Sequence, residues 1–247
     1  MKNKGFAIFL LSLLLDSIFY SGGYSQNGFV FRYSTPDDKH PNDIIETSDG
    51  GYIVTISMGS YPLNYHTLLV RLNQNGDSVN TLLINNQPGT CVINSLIKLD
   101  NGKIMGLGLK KPDSSTARFW VLIMSDSLTV IYDTSYSVVY SNCWNLLGFI
   151  DHSNKVIAYG DASLPGEYFI SHPFVFKLSQ SGDSLESNFY NNAYNQIVYS
   201  MMEKSDSSGY LMSISGSMNP QPSTFSQFIT MDYSFNITQI DSVPGKL

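Results

Sequence analysis

Cysteine is scarce in this chain: Cys91 and Cys143 are the only two, too few for the disulfide framework that holds many small exported domains together. Charge is scarce as well. Only 14% of residues are charged, and Lys+Arg 14 against Asp+Glu 20 gives a net charge of −6. The few cations are scattered, which excludes the basic stripe expected of a nucleic-acid binder. The mild acidity favours solubility and names no partner. Beyond the first 25 residues there is no apolar run long enough to cross a bilayer as a helix, so no membrane span is expected in the mature chain. Helical periodicity is missing from the apolar segments on either side of Ser48-Asp49-Gly50-Gly51, neither of which carries a stripe repeating every 3.6 residues.

What is present is the β-branched and aromatic composition of strands, 43% hydrophobic and 13% aromatic. Ile44, Ile45 and Thr47 precede Ser48-Asp49-Gly50-Gly51, and Tyr52 to Ile56 follow it. Asp bonds its own backbone two residues on, and Gly reaches positive φ without a Cβ clash. An Asp-Gly between two apolar runs is a strong hairpin signal. A third strand, Thr67 to Leu72, then leads through Asn73-Gln74-Asn75-Gly76 to a fourth, Asp77 to Ile84.

Weaker copies follow. Leu96 to Leu99, the turn at Asp100-Asn101-Gly102 and Lys103 to Leu107 match the first hairpin, with Arg118 to Met124 and Leu128 to Tyr132 as third and fourth strands. Leu146 to Ile150, the turn at Asp151-His152-Ser153-Asn154 and Val156 to Gly160 open a third unit. Its Leu178-Ser179-Gln180-Ser181-Gly182-Asp183-Ser184 nearly repeats Leu72 to Ser78. The fourth unit comprises Met201 and Met202, the turn at Asp206 to Gly209, Tyr210 to Ile214, Gln227 to Met231 and Phe235 to Ile240. Gly51 and Gly102 lie one period apart and Leu72 and Leu178 two, a repeat of roughly 50 residues. Four short strands per period suit a propeller blade, because one such sheet cannot cover both faces alone. The expected fold is therefore an all-β propeller of about four four-stranded blades. Its units lie near 42–84, 93–133, 144–190 and 197–242. A β-sandwich of hairpins is the rival, but it does not require a turn motif recurring at one interval.

Lys2 and Lys4 ahead of the apolar run Gly5 to Leu15, with small residues around Gly23-Tyr24-Ser25, predict a signal peptide over 1–25 and a mature chain from Gln26. The other reading of this stretch is a buried first strand. No cysteine lies near the cut, so a lipid anchor is not supported. The remaining chain, 26–247, is expected to be secreted or held at the cell surface. Gly28 to Tyr33 is one further strand candidate, left over once four units are filled. That leaves two possibilities, a small four-bladed ring or the shortened product of a longer protein.

The units resemble the Asp-Gly-Gly-Tyr-type β-propeller repeats of large secreted proteins, especially those of the Bacteroidetes. The matching residues are Thr47 to Val54 and Val70 to Asp77, and the resemblance extends from about Asn42 onward, strongest in the first unit. It implies a fold far more than a function. The C-terminal sorting domain common in such proteins does not follow the fourth unit.

No catalytic, cofactor-binding or metal residue is assigned. Asn73 to Asp77 alternates like a calcium loop but lacks the carboxylates and the later Glu, and its echo at Ser179 to Asp183 has serines instead. His40, His66, His152 and His172 lack zinc-site spacing and sit at different places in the units. No Gly-x-Ser-x-Gly elbow occurs. Asp49, Asp100, Asp151 and Asp206 form the obvious carboxylate set for glycoside chemistry, yet turn formation accounts for them. Cys91 and Cys143 lie one repeat apart, just before the first strands of adjacent blades, and are expected to stay as thiols given the strict geometry of a bridge. Tyr61, Tyr65, Tyr136, Tyr140, Trp144 and Tyr194 in the connections could stack on sugar rings or pack between sheets. Together these features favour a non-enzymatic scaffold whose loops bind a protein or glycan. The alternatives are a carbohydrate-active enzyme with acidic groups at the ring axis, or a fragment of a larger secreted protein.

Overall fold

A computed structural model describes residues 39–244 apart from 60–64, 86–88, 113–115, 141, 165, 168–169, 191–194 and 218–223. The chain divides into two compact units, 1–32 and 33–247, and the described residues all belong to the second. That unit is all-β: four four-stranded antiparallel sheets arranged as propeller-like blades. The signal-peptide region and the strand candidate Gly28 to Tyr33 lie outside the described residues.

Each blade is a meander in which every strand pairs with its neighbours in sequence. Blade 1 holds β1 (Lys39–Glu46), β2 (Tyr52–Met58), β3 (His66–Leu72) and β4 (Ser78–Ile84). Blade 2 holds β5 (Thr90–Lys98), β6 (Ile104–Lys111), β7 (Ala117–Met124) and β8 (Val130–Tyr140). Blade 3 holds β9 (Asn142–Ile150), β10 (Val156–Ser163), β11 (His172–Leu178) and β12 (Ser184–Phe189). Blade 4 holds β13 (Asn195–Glu203), β14 (Tyr210–Ser217), β15 (Thr224–Met231) and β16 (Ile237–Pro244).

One turn design recurs at both tight hairpins of every blade. A backbone N–H at the fourth turn residue reaches the carbonyl of the first, as in Gly50 to Thr47 and Gly76 to Asn73, and that fourth residue has positive φ. Gly50, Gly76, Gly102 and Gly182 take this conformation without cost and Asn154 at little cost, whereas Ser207, Leu128 and Phe235 take it against side-chain preference. Leu128 and Phe235 are buried, so their side chains serve as plugs for the core. The sequence pattern places both in fourth strands; the structure puts them in the turns before β8 and β16.

The second Gly of the Asp-Gly-Gly-Tyr motif has a different cause. A Cβ on Gly51 would stand 2.4 Å from the Leu72 carbonyl oxygen, and on Gly209 1.9 Å from that of Met231. Those carbonyls belong to the residues paired with Tyr52 and Tyr210. The chain enters β2 and β14 too close to the adjacent strand for any side chain.

The first strand of each later blade packs on the first three strands of the blade before it: β5 on β1–β3, β9 on β5–β7, β13 on β9–β11. Three apolar seams result. Ile53 and Leu69 meet Ile93, Leu96, Ile104 and Trp120. Met105, Phe119 and Val121 meet Val156, Phe174 and Phe176, with Phe119 and Phe176 stacked at 4.6 Å. Ile157 and Val175 meet Met201, Tyr210, Met212 and Phe235. Each fully buried large side chain contributes about 1.5–3 kcal/mol.

The first strands are longer than the apolar pattern suggests. β5 begins at Thr90 and β9 at Asn142 rather than near Leu96 and Leu146. A register shift between Pro41 and Asp43, repeated between Ile93 and Ser95 and between Val198 and Ser200, breaks the alternation midway. A bulge moves every later side chain to the other face, so the two halves read as separate fragments. Cys91 and Cys143 accordingly stand within β5 and β9, as the second residue of each, not ahead of them.

Candidate functional site

The turn residues that look most like chemistry build the seams. In the first hairpin of blade 1, Asp49 Oδ1 accepts from Thr47 Oγ1 at 2.6 Å and from the Gly51 N–H at 3.3 Å, and Arg71 pairs with its other oxygen. The Thr47 hydroxyl, the Arg71 guanidinium and the Gly51 amide hold Asp49 down at a pKa of about 2. Asp206 accepts from the Ser208 N–H and hydroxyl, which lower its pKa as well. Asp100 departs from this reading: its neighbour Asn101 takes the turn bond, from the Lys103 N–H at 3.0 Å, while the Asp100 carboxylate accepts from Gln180 of blade 3 at 2.8 Å.

That contact belongs to a series. The second residue of the first turn in each of blades 1–3 is held by a side chain of the following blade. The Ser48 N–H donates to Asp126 at 3.1 Å, the Asp100 N–H to Gln180 at 3.0 Å, and the His152 N–H to Glu203 at 2.9 Å. Asp126, Gln180 and Tyr233 hold the same place in the second turns of blades 2, 3 and 4. Tyr233 acts through Glu203, donating to it at 2.7 Å while its ring lies 4.9 Å from that of His152. Every described seam therefore closes with a polar latch at its turn end.

The third latch is the richest in titratable groups. His152 Nδ1 contacts Glu203 Oε1. Partial burial pushes the Glu203 carboxyl up, but hydrogen bonds from Tyr233 and from the His152 amide and ring outweigh it and leave the pKa lowered. Tyr233 is pushed up to about 12 by desolvation and by the Glu203 carboxylate. Beside it Asp151, buried, accepts from the Ser153 N–H at 3.0 Å, the Lys155 N–H at 2.9 Å and the Tyr210 hydroxyl at 2.8 Å. Burial raises the Asp151 pKa and those bonds more than reverse it. Burial and the Asp151 carboxylate push the Tyr210 hydroxyl far up. The assembly is a set of carboxylates kept ionised by fixed donors, which suits holding two blades in register.

The remaining candidates separate. Asn73 Oδ1 accepts from the Asn75 and Asp77 N–H groups at 2.9 and 3.0 Å, and Ser179 Oγ from the Asp183 N–H at 3.0 Å; both segments are turns. His66 and His172 open β3 and β11 at equivalent places, contrary to the expectation that all four histidines differ in position, but they stand in alternate blades. His172 is buried against Glu167, Nε2 to Oε2 2.8 Å. His40 on β1 sits 6.5 Å from the Tyr65 ring. Among the described residues no three His, Cys, Asp or Glu side chains come together to hold a metal. Cys91 is buried with Sγ 3.1 Å from the Ile84 carbonyl. Tyr136 is not a connection residue: it lies in β8, stacked on Phe119, and donates to the Gly182 carbonyl. Tyr140 and Trp144 likewise fall within β8 and β9, while Tyr61 and Tyr194 lie outside the described residues.

Comparison with protein-family models finds no match, and comparison with curated proteins finds none either.

Sequence reasoning missed Glu203, Tyr233, Asp126 and Gln180. Their only signal is positional, visible once the four units are aligned and equivalent turn residues compared across neighbouring blades.

Proposed function

We propose that this chain is an exported propeller-like scaffold, secreted or at the cell surface, that presents loops for binding a protein or glycan without catalysing a reaction. The observation that supports it is the contrast between the two ends of the blades. At one end both hairpins of every blade close by the same short turn and the seams are latched. At the other end, the connections within blades, 59–65, 112–116, 164–171 and 218–223, differ in length. They also differ in composition, though each carries proline: Pro62, Pro112, Pro165, Pro220 and Pro222. Variable connections on a rigid, repeated frame are how binding surfaces are commonly built, and proline lowers the entropy lost when a loop is captured. The signal-like N-terminus and the resemblance of blade 1 to repeats of secreted propellers agree with export.

A fluorescently labelled full chain, tested on a printed glycan array and on intact cells, checks the reading. Replacing the four within-blade connections one at a time by Gly-Ser segments is expected to abolish binding for at least one, with the melting temperature held within a few degrees. Binding that survives every replacement refutes the proposal. Hydrolysis of array glycans favours the carbohydrate-active alternative.

A further inference from the structure

In blade 3 the connection between β10 and β11 is fastened at three points. The Glu167 N–H donates to the Leu164 carbonyl at 3.0 Å, closing a turn in which Gly166 has φ 90°. At its far end the Ser171 N–H donates to Asn195 Oδ1 at 2.9 Å, and the Ser171 carbonyl accepts from the Gln196 N–H at 2.8 Å. Those two bonds tie the connection to the first strand of blade 4. Between them and the turn, His172 Nε2 lies 2.8 Å from Glu167 Oε2.

The histidine end of this contact works against folding. The ring is 1% exposed, and its Nδ1 has no hydrogen-bond partner; a buried polar atom left in that state loses its hydration and gains nothing in return. The blade design does not call for a buried imidazole here. The residue opening the third strand is half-buried His66 in blade 1, exposed Arg118 in blade 2 and Phe225 in blade 4. A half-satisfied ring kept at this place in blade 3 is explained by what its other nitrogen holds, since costs of this kind collect at functional positions.

What that nitrogen holds is a carboxylate at the loop end. The Glu167 side chain keeps 33% of its surface exposed. Phe189 packs on the His172 ring, with centroids 5.4 Å apart, and steadies it from the other side. With Oε2 fixed by the ring, the carboxylate has a set direction, and such a group accepts up to about four hydrogen bonds. Two adjacent sugar hydroxyls match a carboxylate of fixed direction, because both can donate to it at once in charge-assisted bonds. Fixing the group in advance also lowers the ordering cost of capture.

We propose that Glu167 is a glycan contact of this chain, receiving hydroxyls of a neutral sugar, and that His172 is the positioning residue that aims it. This rests on the loop-binding reading above and narrows it to one connection and one ligand class.

Binding of the fluorescently labelled full chain to a slide printed with neutral oligosaccharides and, beside them, oligolysine tests it. The wild-type chain is expected to bind at least one oligosaccharide, and Glu167→Gln to weaken that binding about tenfold or more, as loss of a hydrogen bond to a charged group does. The melting temperature should stay within a few degrees, because glutamine keeps an oxygen for His172 Nε2. With the histidine ring nitrogens isotope-labelled for NMR, the bound oligosaccharide is expected to shift the His172 signal in the wild-type chain and not in Glu167→Gln, a response that a merely structural contact does not give. Equal binding by Glu167→Gln overturns the proposal; if a Gly-Ser replacement of another connection then abolishes binding, the scaffold reading stands without it. Capture of oligolysine alone overturns the ligand class, and a chain that binds nothing on the slide overturns the whole. An unmoved His172 signal overturns its positioning role.

Discussion

Replacing Tyr210 by Phe isolates one bond of the third latch. The Tyr210 ring is fully buried between blades 3 and 4 and packs against Phe149, Tyr233 and Phe235. Phenylalanine keeps that packing and removes only the hydroxyl that donates to Asp151 Oδ2 at 2.8 Å. The Ser153 and Lys155 amides remain on Oδ1. A hydrogen bond to a buried charged group is worth about 1.5–3 kcal/mol, and that is the expected loss of stability at pH 7. With a urea slope of about 1–3 kcal/mol/M it moves the unfolding midpoint down by about 1 M. The sign of the pH dependence follows from Asp151, whose pKa is lowered in the folded state. A depressed carboxylate stabilises the fold fully above its unfolded pKa of about 3.9, and that contribution is lost as pH falls through the folded value. The gap between the wild-type chain and Tyr210→Phe is therefore widest near neutrality and narrows only as pH falls through the lowered folded value of Asp151. Urea unfolding at pH 7 and in steps down to about pH 2, followed by circular dichroism, measures both. A loss under about 0.5 kcal/mol at pH 7 refutes the assignment of Asp151 as an ionised, Tyr210-dependent group, and so does a gap that widens as pH falls.

Two further substitutions test the backbone. Gly51→Ala is expected to be severely destabilising because its Cβ meets the Leu72 carbonyl at 2.4 Å, whereas Gly50→Ala meets nothing within 4 Å and carries only the left-handed strain of about 1–2 kcal/mol; thermal melts that rank them the other way overturn the explanation of the motif. Phe235→Gly relieves a non-glycine residue at φ 58° but empties a buried aromatic position. Core truncation of Phe costs about 3–5 kcal/mol against about 1–2 kcal/mol of strain removed. The variant is therefore expected to unfold more easily, despite glycine at the matching Gly76 and Gly182, and a stabilised variant in chemical denaturation contradicts the plug assignment.

The parts of this fold visible in sequence are those governed by short-range chemistry. Asp49-Gly50 and Asn75-Gly76 announce their turns because glycine takes positive φ without a Cβ clash, and the β2, β3 and β7 segments announce themselves through β-branched or aromatic runs. The first strands were read only in part, since a bulge halfway along reverses which side chains face inward and erases the alternation on which strand reading depends. Phe235 and Leu128 misled for a related reason: burial overrode the local conformational preference that normally keeps such residues out of a turn's left-handed position. The latches were hidden by distance. Ser48 and Asp126 are 78 positions apart and Asp100 and Gln180 are 80, and no property of either residue names the other. His152 was weighed as a metal ligand when its partner proves to be the carboxylate of the next blade.

Because every described strand pairs within its sheet only with its immediate neighbours along the polypeptide, the order of synthesis can also be the order of assembly. A blade has all its pairing partners as soon as its own four segments have emerged, and the loop closures involved are short. Each finished blade then offers a template on which the next can settle, so ordering advances from the N-terminal end without waiting for the last residue. Folding that proceeds stepwise in this way keeps unpaired edges brief, an advantage for a β-rich chain exposed to aggregation while it is being made.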